Sequence, residues 1–358
     1  VSVLSEKILM KGNEAIGEAA VVAGCRHYFG YPITPQSELI EYMAKRLPQV
    51  DGVFLQAESE VAAINMVYGA ASAGCRVMTS SSSPGISLKQ EGISYIAGSQ
   101  LPCVIVNVQR GGPGLGSIQP GQADYFQATK GGGHGDYRNI VLAPNSVQEM
   151  ADITIEAFDL ADKWRNAVMI LGDGALGQMM EPVEFKESSN KPVEKPWAAT
   201  GRRGRAKPNI VNSLYLQPDL MEKHNHVLQD KYAKIQATET RWEALNTEDT
   251  EVVVVAYGIT SRIAMTAINK ARANGLKVGL FRPISLWPFP SQPLAELAKT
   301  AKAFVVFEMS AGQMVEDVRL AVNGAKPVFF HGRTGGMLPT PKELYEKIIS
   351  VANGEGGK

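Results

Sequence analysis

Short apolar runs closed by turn residues recur along this chain, and amphipathic segments of helical period lie between them. The runs Gly52–Gln56, Arg76–Ser80, Pro102–Val108, Ile140–Ala143 and Ala167–Leu171 read as strands, as do Val252–Ala256, Val278–Phe281, Phe304–Phe307 and Pro327–Phe330. Helical spacing covers Asn13–Ala23, Ser37–Arg46, Glu60–Ala73, Gly85–Gly98 and Val147–Trp164. It returns over Thr260–Ala273, Leu294–Lys299, Gly312–Val322 and Lys342–Val351. Strands this apolar are expected to be covered on both faces, and their alternation with helices predicts α/β architecture with parallel sheets. A chain of 358 residues exceeds what one hydrophobic core usually serves, so two or three domains are expected.

The pattern decays between Glu181 and about Thr250. Pro182, Pro192 and Pro196 lie close together, and the basic run Arg202-Arg203-Gly204-Arg205-Ala206-Lys207 follows. The polar stretch Asp219–Asn246 favours a helix. This segment reads as a connector with its own helix, its basic run a solvated loop or a clamp for phosphates or an acidic partner surface.

Several strand ends carry groups able to do chemistry. In Gly30-Tyr31-Pro32-Ile33-Thr34-Pro35-Gln36-Ser37-Glu38, two prolines stiffen a turn that holds Thr34 just before a helix, where free N–H groups favour an anion. Glu60 opens a helix rich in Ala and Gly. It reads either as a capping acid or as a carboxylate at a close-packed interface, where burial raises the pKa. Ser80-Ser81-Ser82-Ser83-Pro84-Gly85 follows an apolar strand, and ligands of open parallel sheets bind at such carboxyl ends. Gln109-Arg110-Gly111-Gly112-Pro113 follows another, and the fork of Arg110 suits a carboxylate. Together these groups suggest a small substrate bearing a carboxylate. His134 reads as a loop histidine or a proton relay. Gly172-Asp173-Gly174 starts like a metal–diphosphate motif, but the next asparagine, Asn190, comes too early, so Asp173 reads as a structural turn.

Lysines plus arginines equal aspartates plus glutamates at 36 each, which gives no reason to expect nucleic acid or a membrane surface as partner. Cys25, Cys75 and Cys103 are far apart and form no CxxC, so buried inert thiols are expected rather than an iron–sulfur site. The N-terminal stretch lacks the apolar core of a signal peptide, and no apolar run reaches the roughly 18–20 residues that span a bilayer. A cytoplasmic location is the expectation.

The segments together resemble the α subunit of the 2-oxoacid:ferredoxin oxidoreductases, in the separate-subunit type that acts on 2-oxoisovalerate or 2-oxoglutarate. The motifs that carry the resemblance are Gly12-Asn13-Glu14-Ala15, Gly30–Pro35, Glu58-Ser59-Glu60, Ser82-Ser83-Pro84-Gly85 and Gln109–Pro113. Later come Ala256-Tyr257-Gly258, Phe281–Pro290, Glu308–Gln313 and Gly332-Arg333-Thr334-Gly335-Gly336. The resemblance implies a pyrimidine-binding domain of a thiamine diphosphate enzyme over residues 1–180, a connector over 181–249 and a transketolase C-terminal-like domain over 250–358. It implies that Glu60 hydrogen-bonds the aminopyrimidine and drives proton relay through the cofactor, with Ile33, Pro35 and Gln109 also at the cofactor. Thr34 and Arg110 are implied to hold the 2-oxoacid, with Ser82, Ser83 and Gly85 lining the pocket. A separate β subunit would hold the diphosphate and Mg²⁺, with γ and ferredoxin-like δ chains completing the assembly and carrying the iron–sulfur clusters. The implied reaction is oxidative decarboxylation with CoA, yielding acyl-CoA, CO₂ and reduced ferredoxin. With Arg110 reading only the common carboxylate, a branched-chain acid is favoured over 2-oxoglutarate. The rival readings are a scaffold subunit with a vestigial pocket and a stand-alone transferase using the serine loop for phosphate; the latter lacks a Walker-type loop.

Overall fold

A computed structural model describes residues 7–186 and 193–355. Residues 1–6, which hold most of the N-terminal stretch, and Asn190 and Pro192 of the connector lie outside the described residues. The chain begins with β1 (Ile8–Lys11), α1 (Gly12–Val22), β2 (His27–Gly30), α2 (Ser37–Arg46), β3 (Val53–Gln56) and α3 (Glu60–Ser72). It continues with β4 (Val77–Ser81), α4 (Ser83–Gly98), β5 (Cys103–Gln109), α5 (Tyr125–Thr129) and β6 (Ile140–Leu142). Next come α6 (Val147–Trp164), β7 (Ala167–Asp173), α7 (Gly174–Gln178), β8 (Met180–Val183) and α8 (Pro218–Thr238). Then follow β9 (Trp242–Leu245), β10 (Val252–Val255), α9 (Gly258–Ala273), β11 (Val278–Pro283) and β12 (Ser285–Trp287). The last elements are α10 (Ser291–Leu297), β13 (Ala303–Glu308), α11 (Met314–Val322), β14 (Val328–Gly332) and α12 (Pro341–Ala352).

A seven-stranded sheet has the order β12-β6-β7-β5-β4-β2-β3, and a five-stranded sheet has the order β14-β13-β10-β11-β9. All their pairings are parallel except those of β12 with β6 and of β9 with β11. The fold class is therefore α/β, as the alternation predicts. Strands β5 and β7 are buried at every residue and pair from Cys103 against Ala167 to Gln109 against Asp173, making them the middle of the first core. Helices α3 and α4 pack on each other, as α1 does on α2 and α6, and both α4 and α6 touch β5 and β7. Coverage on both faces fails at the rim: β3 is the edge strand, and its Val53 and Leu55 are exposed.

Some elements differ from the sequence expectation. The helical stretch expected to reach Asn246 ends at Thr238, and Trp242–Leu245 becomes a strand of the second sheet. Its register sets Glu243 opposite Arg282, an ion pair of 2.9 Å. Strand β12 leaves the second half of the chain to pair with β6 of the first sheet, a contact with no local signal. The β1–β8 pair is short and half exposed, and it contains Pro182, so it carries no apolar run. His27–Gly30, which none of the expected strands covers, is an inner strand of the first sheet between β4 and β3. Among the described residues no helix is long and apolar enough to cross a membrane.

Candidate active site

The strands β5, β4, β2 and β3 are neighbours and parallel, so their carboxyl ends form one rim. The loops leaving that rim carry Thr34 after β2, Glu60 after β3, the serines after β4 and Arg110 after β5. This is where open parallel sheets bind ligands.

Glu60 is the first residue of α3 and is 6% exposed. Helix capping falls to its neighbour: Ser59 Oγ accepts the Ala62 N–H at 3.1 Å. Glu60 makes no cap hydrogen bond, and of the capping reading its place in the first turn, where the helix dipole favours a carboxylate, remains. Among the described residues no hydrogen bond reaches the Glu60 carboxylate, whereas Glu58, two residues earlier, is exposed. The Glu60 carboxylate thus keeps its acceptor capacity for a ligand at the rim.

The first turn of α4 ties the site together. A Cβ on Gly85 would stand 2.7 Å from Glu60 Oε1 and 2.1 Å from Ser81 Oγ, so only glycine leaves that carboxylate in place. Two residues earlier, Ser83 Oγ accepts the Arg110 N–H at 3.0 Å and donates to Asp124 at 2.6 Å. One turn of helix thus spans from the Glu60 carboxylate to the backbone of Arg110. Asn107 also donates to Asp124, at 2.9 Å. Burial pushes the Asp124 carboxyl up, while Ser83, Asn107 and the nearby Arg110 pull it down.

Arg110 is nearly buried. Its Nη1 donates to the Thr34 carbonyl at 2.9 Å and its Nη2 to the Leu115 carbonyl at 2.8 Å. The fork is therefore partly engaged by backbone, and buried Nε is left without a partner. Thr34 itself is exposed, Pro35 is buried and Ile33 is partly buried. Ser81 Oγ and Ser82 Oγ are buried and unpartnered as well. The open valences of Ser81, Ser82 and Arg110 thus share one rim, where a polar ligand could meet them.

Other positions turn away from this rim. The Gln109 amide is taken up by protein: Nε2 donates to the Gly172 carbonyl at 3.1 Å, and Oε1 accepts the Asp124 N–H at 3.1 Å. His134 is exposed and lines a separate groove with Tyr95, Ser213 and Tyr215. Asp173 caps α7 by accepting the Ala175 and Leu176 N–H groups, and burial pushes its carboxyl up to about 6. Glu308 caps α11, accepting from Met314 and Val315 at 3.0 Å each. A cleft of about 740 Å³ opens beside Ser83, between the Gly111–Gly114 loop and Met309, Ser310 and Gln313. Sequence reading passed over Lys89, which is fully buried in α4; the available signal was its spacing of one turn from Gly85.

Comparison with known proteins was made against this geometry. Residues 18–254 match the family described as pyruvate flavodoxin/ferredoxin oxidoreductase, thiamine diphosphate-binding, and residues 250–344 match pyruvate:ferredoxin oxidoreductase core domain II. The chain is 55% identical over 346 residues to ketoisovalerate oxidoreductase subunit VorB of Methanothermobacter marburgensis, covering 96% of this chain and 97% of that protein. A solved 2-oxoglutarate:ferredoxin oxidoreductase from Magnetococcus marinus, with 2-oxoglutarate, coenzyme A and succinyl-CoA bound, superposes with a TM-score of 0.87 at 28% identity. That match covers 97% of this chain and 65% of the other. A split-gene transketolase, an inactive β4 tetramer, superposes with a TM-score of 0.59 at 17% identity over 94% of this chain and 96% of that one, a likeness of fold alone.

Proposed function

Because the chain belongs to the 2-oxoacid:ferredoxin oxidoreductase subunit family, we propose that it is the α-type subunit of an enzyme that oxidatively decarboxylates a branched-chain 2-oxoacid with CoA. Residues 1–180 are its cofactor-facing domain. The observation that carries the reading is the α4 turn, which packs Gly85 against a Glu60 carboxylate that accepts no hydrogen bond among the described residues and, through Ser83, holds the backbone of Arg110, whose buried Nε has no partner. The residues fit thiamine diphosphate on the pyrimidine side: Glu60 offers an acceptor with no competing protein donor, and Gly85 keeps the space beside it open. When bound, that cofactor supplies the electron sink for decarboxylation.

The chain's own part is to bind and orient. Glu60 holds a proton position at the pyrimidine, and Arg110, with Thr34 and the serines Ser82 and Ser83, receives the oxoacid carboxylate. The diphosphate, Mg²⁺ and iron–sulfur clusters belong to partner chains in this reading: a β subunit, a γ chain and a ferredoxin-like chain. The branched-chain preference is supported by the 55% identity to a ketoisovalerate oxidoreductase subunit, against 38% to the 2-oxoglutarate synthase subunit KorA of Archaeoglobus fulgidus. Besides Arg110, the site among the described residues turns no cation toward a distal carboxylate: Lys89 is held on Thr79 and Ser80 beneath the rim.

The test is anaerobic co-purification with the native partners and an assay of CoA-dependent viologen reduction. The panel holds 2-oxoisovalerate, 2-oxoglutarate, pyruvate and phenylglyoxylate. The highest kcat/KM is expected for 2-oxoisovalerate. Arg110→Ala is expected to raise KM for every acid alike, by roughly tenfold or more, since a charge-assisted pair is worth about 1.5–3 kcal/mol. A complete, cofactor-loaded complex that turns over none of these acids would support the scaffold reading instead.

A further inference from the structure

Gln122 is fully buried where the first half of the chain meets the second. Five hydrogen bonds join it to the second half. Its Oε1 accepts the Met309 N–H at 3.0 Å and the Thr260 hydroxyl at 2.8 Å, and its Nε2 donates to the Tyr257 carbonyl at 2.9 Å. Its backbone N–H donates to the Met309 carbonyl at 2.9 Å, and its carbonyl accepts the Tyr257 hydroxyl at 3.2 Å. Met309 follows β13, and Tyr257 and Thr260 stand at the start of α9.

The loop that ends at Gln122 begins at Arg110. Residues 111–121 include five glycines, and Gly114 and Gly116 stand at φ of +70° and +66°, so the loop is costly to order and needs anchors. Arg110 pairs with Pro120 as an isolated bridge, and the Gly111 N–H donates to the Gln119 carbonyl at 2.8 Å, so the two ends of the loop lie side by side. The guanidinium rests on this loop, because Nη2 donates to the Leu115 carbonyl at 2.8 Å. Among the described residues the loop itself reaches the second half by one hydrogen bond, from Ser117 Oγ to the Gly335 carbonyl at 3.2 Å. Beyond Gln122 the chain is held separately: Gln313 donates to the Ala123 carbonyl at 2.7 Å and accepts the Phe126 N–H at 2.8 Å. Loosening Gln122 therefore frees the loop side while α5 stays anchored.

We infer that Gln122 is a positioning residue, through which the second half of the chain fixes the loop that seats the Arg110 guanidinium. This rests on the reading of Arg110 as the receiver of the oxoacid carboxylate, and Gln122 acts on the acid only through that arginine.

The experiment uses the assembled complex and the variants Gln122→Leu and Thr260→Val, each alone and combined with Arg110→Ala. Thr260→Val keeps the shape and removes one donor to Oε1, which still accepts from Met309, so it carries the test where Gln122→Leu fails to assemble. KM and kcat per cofactor-loaded complex are measured with the acid of highest kcat/KM in the panel. Gln122→Leu is expected to raise KM about fivefold and Thr260→Val about twofold, the order set by losing one net hydrogen bond, with kcat held. In the Arg110→Ala background each is expected to change KM by less than about 1.5-fold, because the loop then has no guanidinium to seat. A merely structural role would instead lower the unfolding temperature and the yield of complex and leave KM of the assembled fraction unchanged. Wild-type KM in every single variant that assembles, or the same factor with and without Arg110, overturns the inference and leaves the reading of Arg110 standing. An Arg110→Ala complex with wild-type KM, or a complex that turns over none of the acids, removes that reading and the inference with it.

Discussion

Glu60→Gln in the assembled complex is expected to lower turnover by roughly 10²–10⁴-fold, the usual contribution of a positioned acid–base group, while the subunits still associate. The substitution is isosteric and keeps an oxygen at the same place. It does not touch the start of α3, which Ser59 caps through Ala62 N–H. What it removes is the ability to exchange a proton at the rim. Because no protein hydrogen bond among the described residues reaches the carboxylate, no network collapses with it. Oxoacid-dependent viologen reduction reads the loss, and gel filtration of the complex reads assembly. Wild-type turnover in this variant would remove the proton role from Glu60.

Gly85→Ala is expected to lower kcat by about 10²-fold without destabilising the chain, since displacing a reacting group by an ångström has that order of effect. The backbone at Gly85 is helical, so alanine is allowed there and improves helix propensity by about 0.5–1 kcal/mol. The new methyl would nonetheless meet Glu60 Oε1 at 2.7 Å and Ser81 Oγ at 2.1 Å. The serine hydroxyl can rotate away, but the carboxylate must shift. Gly69 in α3 supplies the control, because a Cβ there meets nothing within 4 Å. Gly69→Ala should keep full activity, and thermal unfolding of the two variants should show neither losing stability. Full activity in Gly85→Ala would mean that the exact seat of the carboxylate is irrelevant.

The architecture was legible where local chemistry and tertiary packing agree. Helix α6 starts after Ser146, whose hydroxyl caps Glu149 N–H, and its apolar residues face β5 and β7. Helix α2 starts two residues after Pro35, and Lys45 and Arg46 close it. Strands β5 and β7 are apolar because both their faces are covered. Strands β9 and β12 were not legible, because each exists only through a partner distant in sequence. Within the site, Glu60, the serines and Arg110 were visible as polar groups at the ends of apolar strands. Gln109 stands at such an end too, but its amide turns inward to Gly172 and Asp124, a choice that depends on β7 and the following loop. Lys89 was hidden for the opposite reason: a lysine on a helix ordinarily marks a solvated face, and here α3 and β4 close over it.

The central claim is that Glu60 is the group by which this chain meets the pyrimidine of thiamine diphosphate. The most direct test is an experimental structure of the assembled complex with the cofactor bound. The account predicts the pyrimidine ring at the rim of β2, β3 and β4, with the Glu60 carboxylate within hydrogen-bonding distance of a ring nitrogen and Gly85 packed beside it. A pyrimidine that instead meets Glu58, or that lies wholly within a partner subunit, would contradict it.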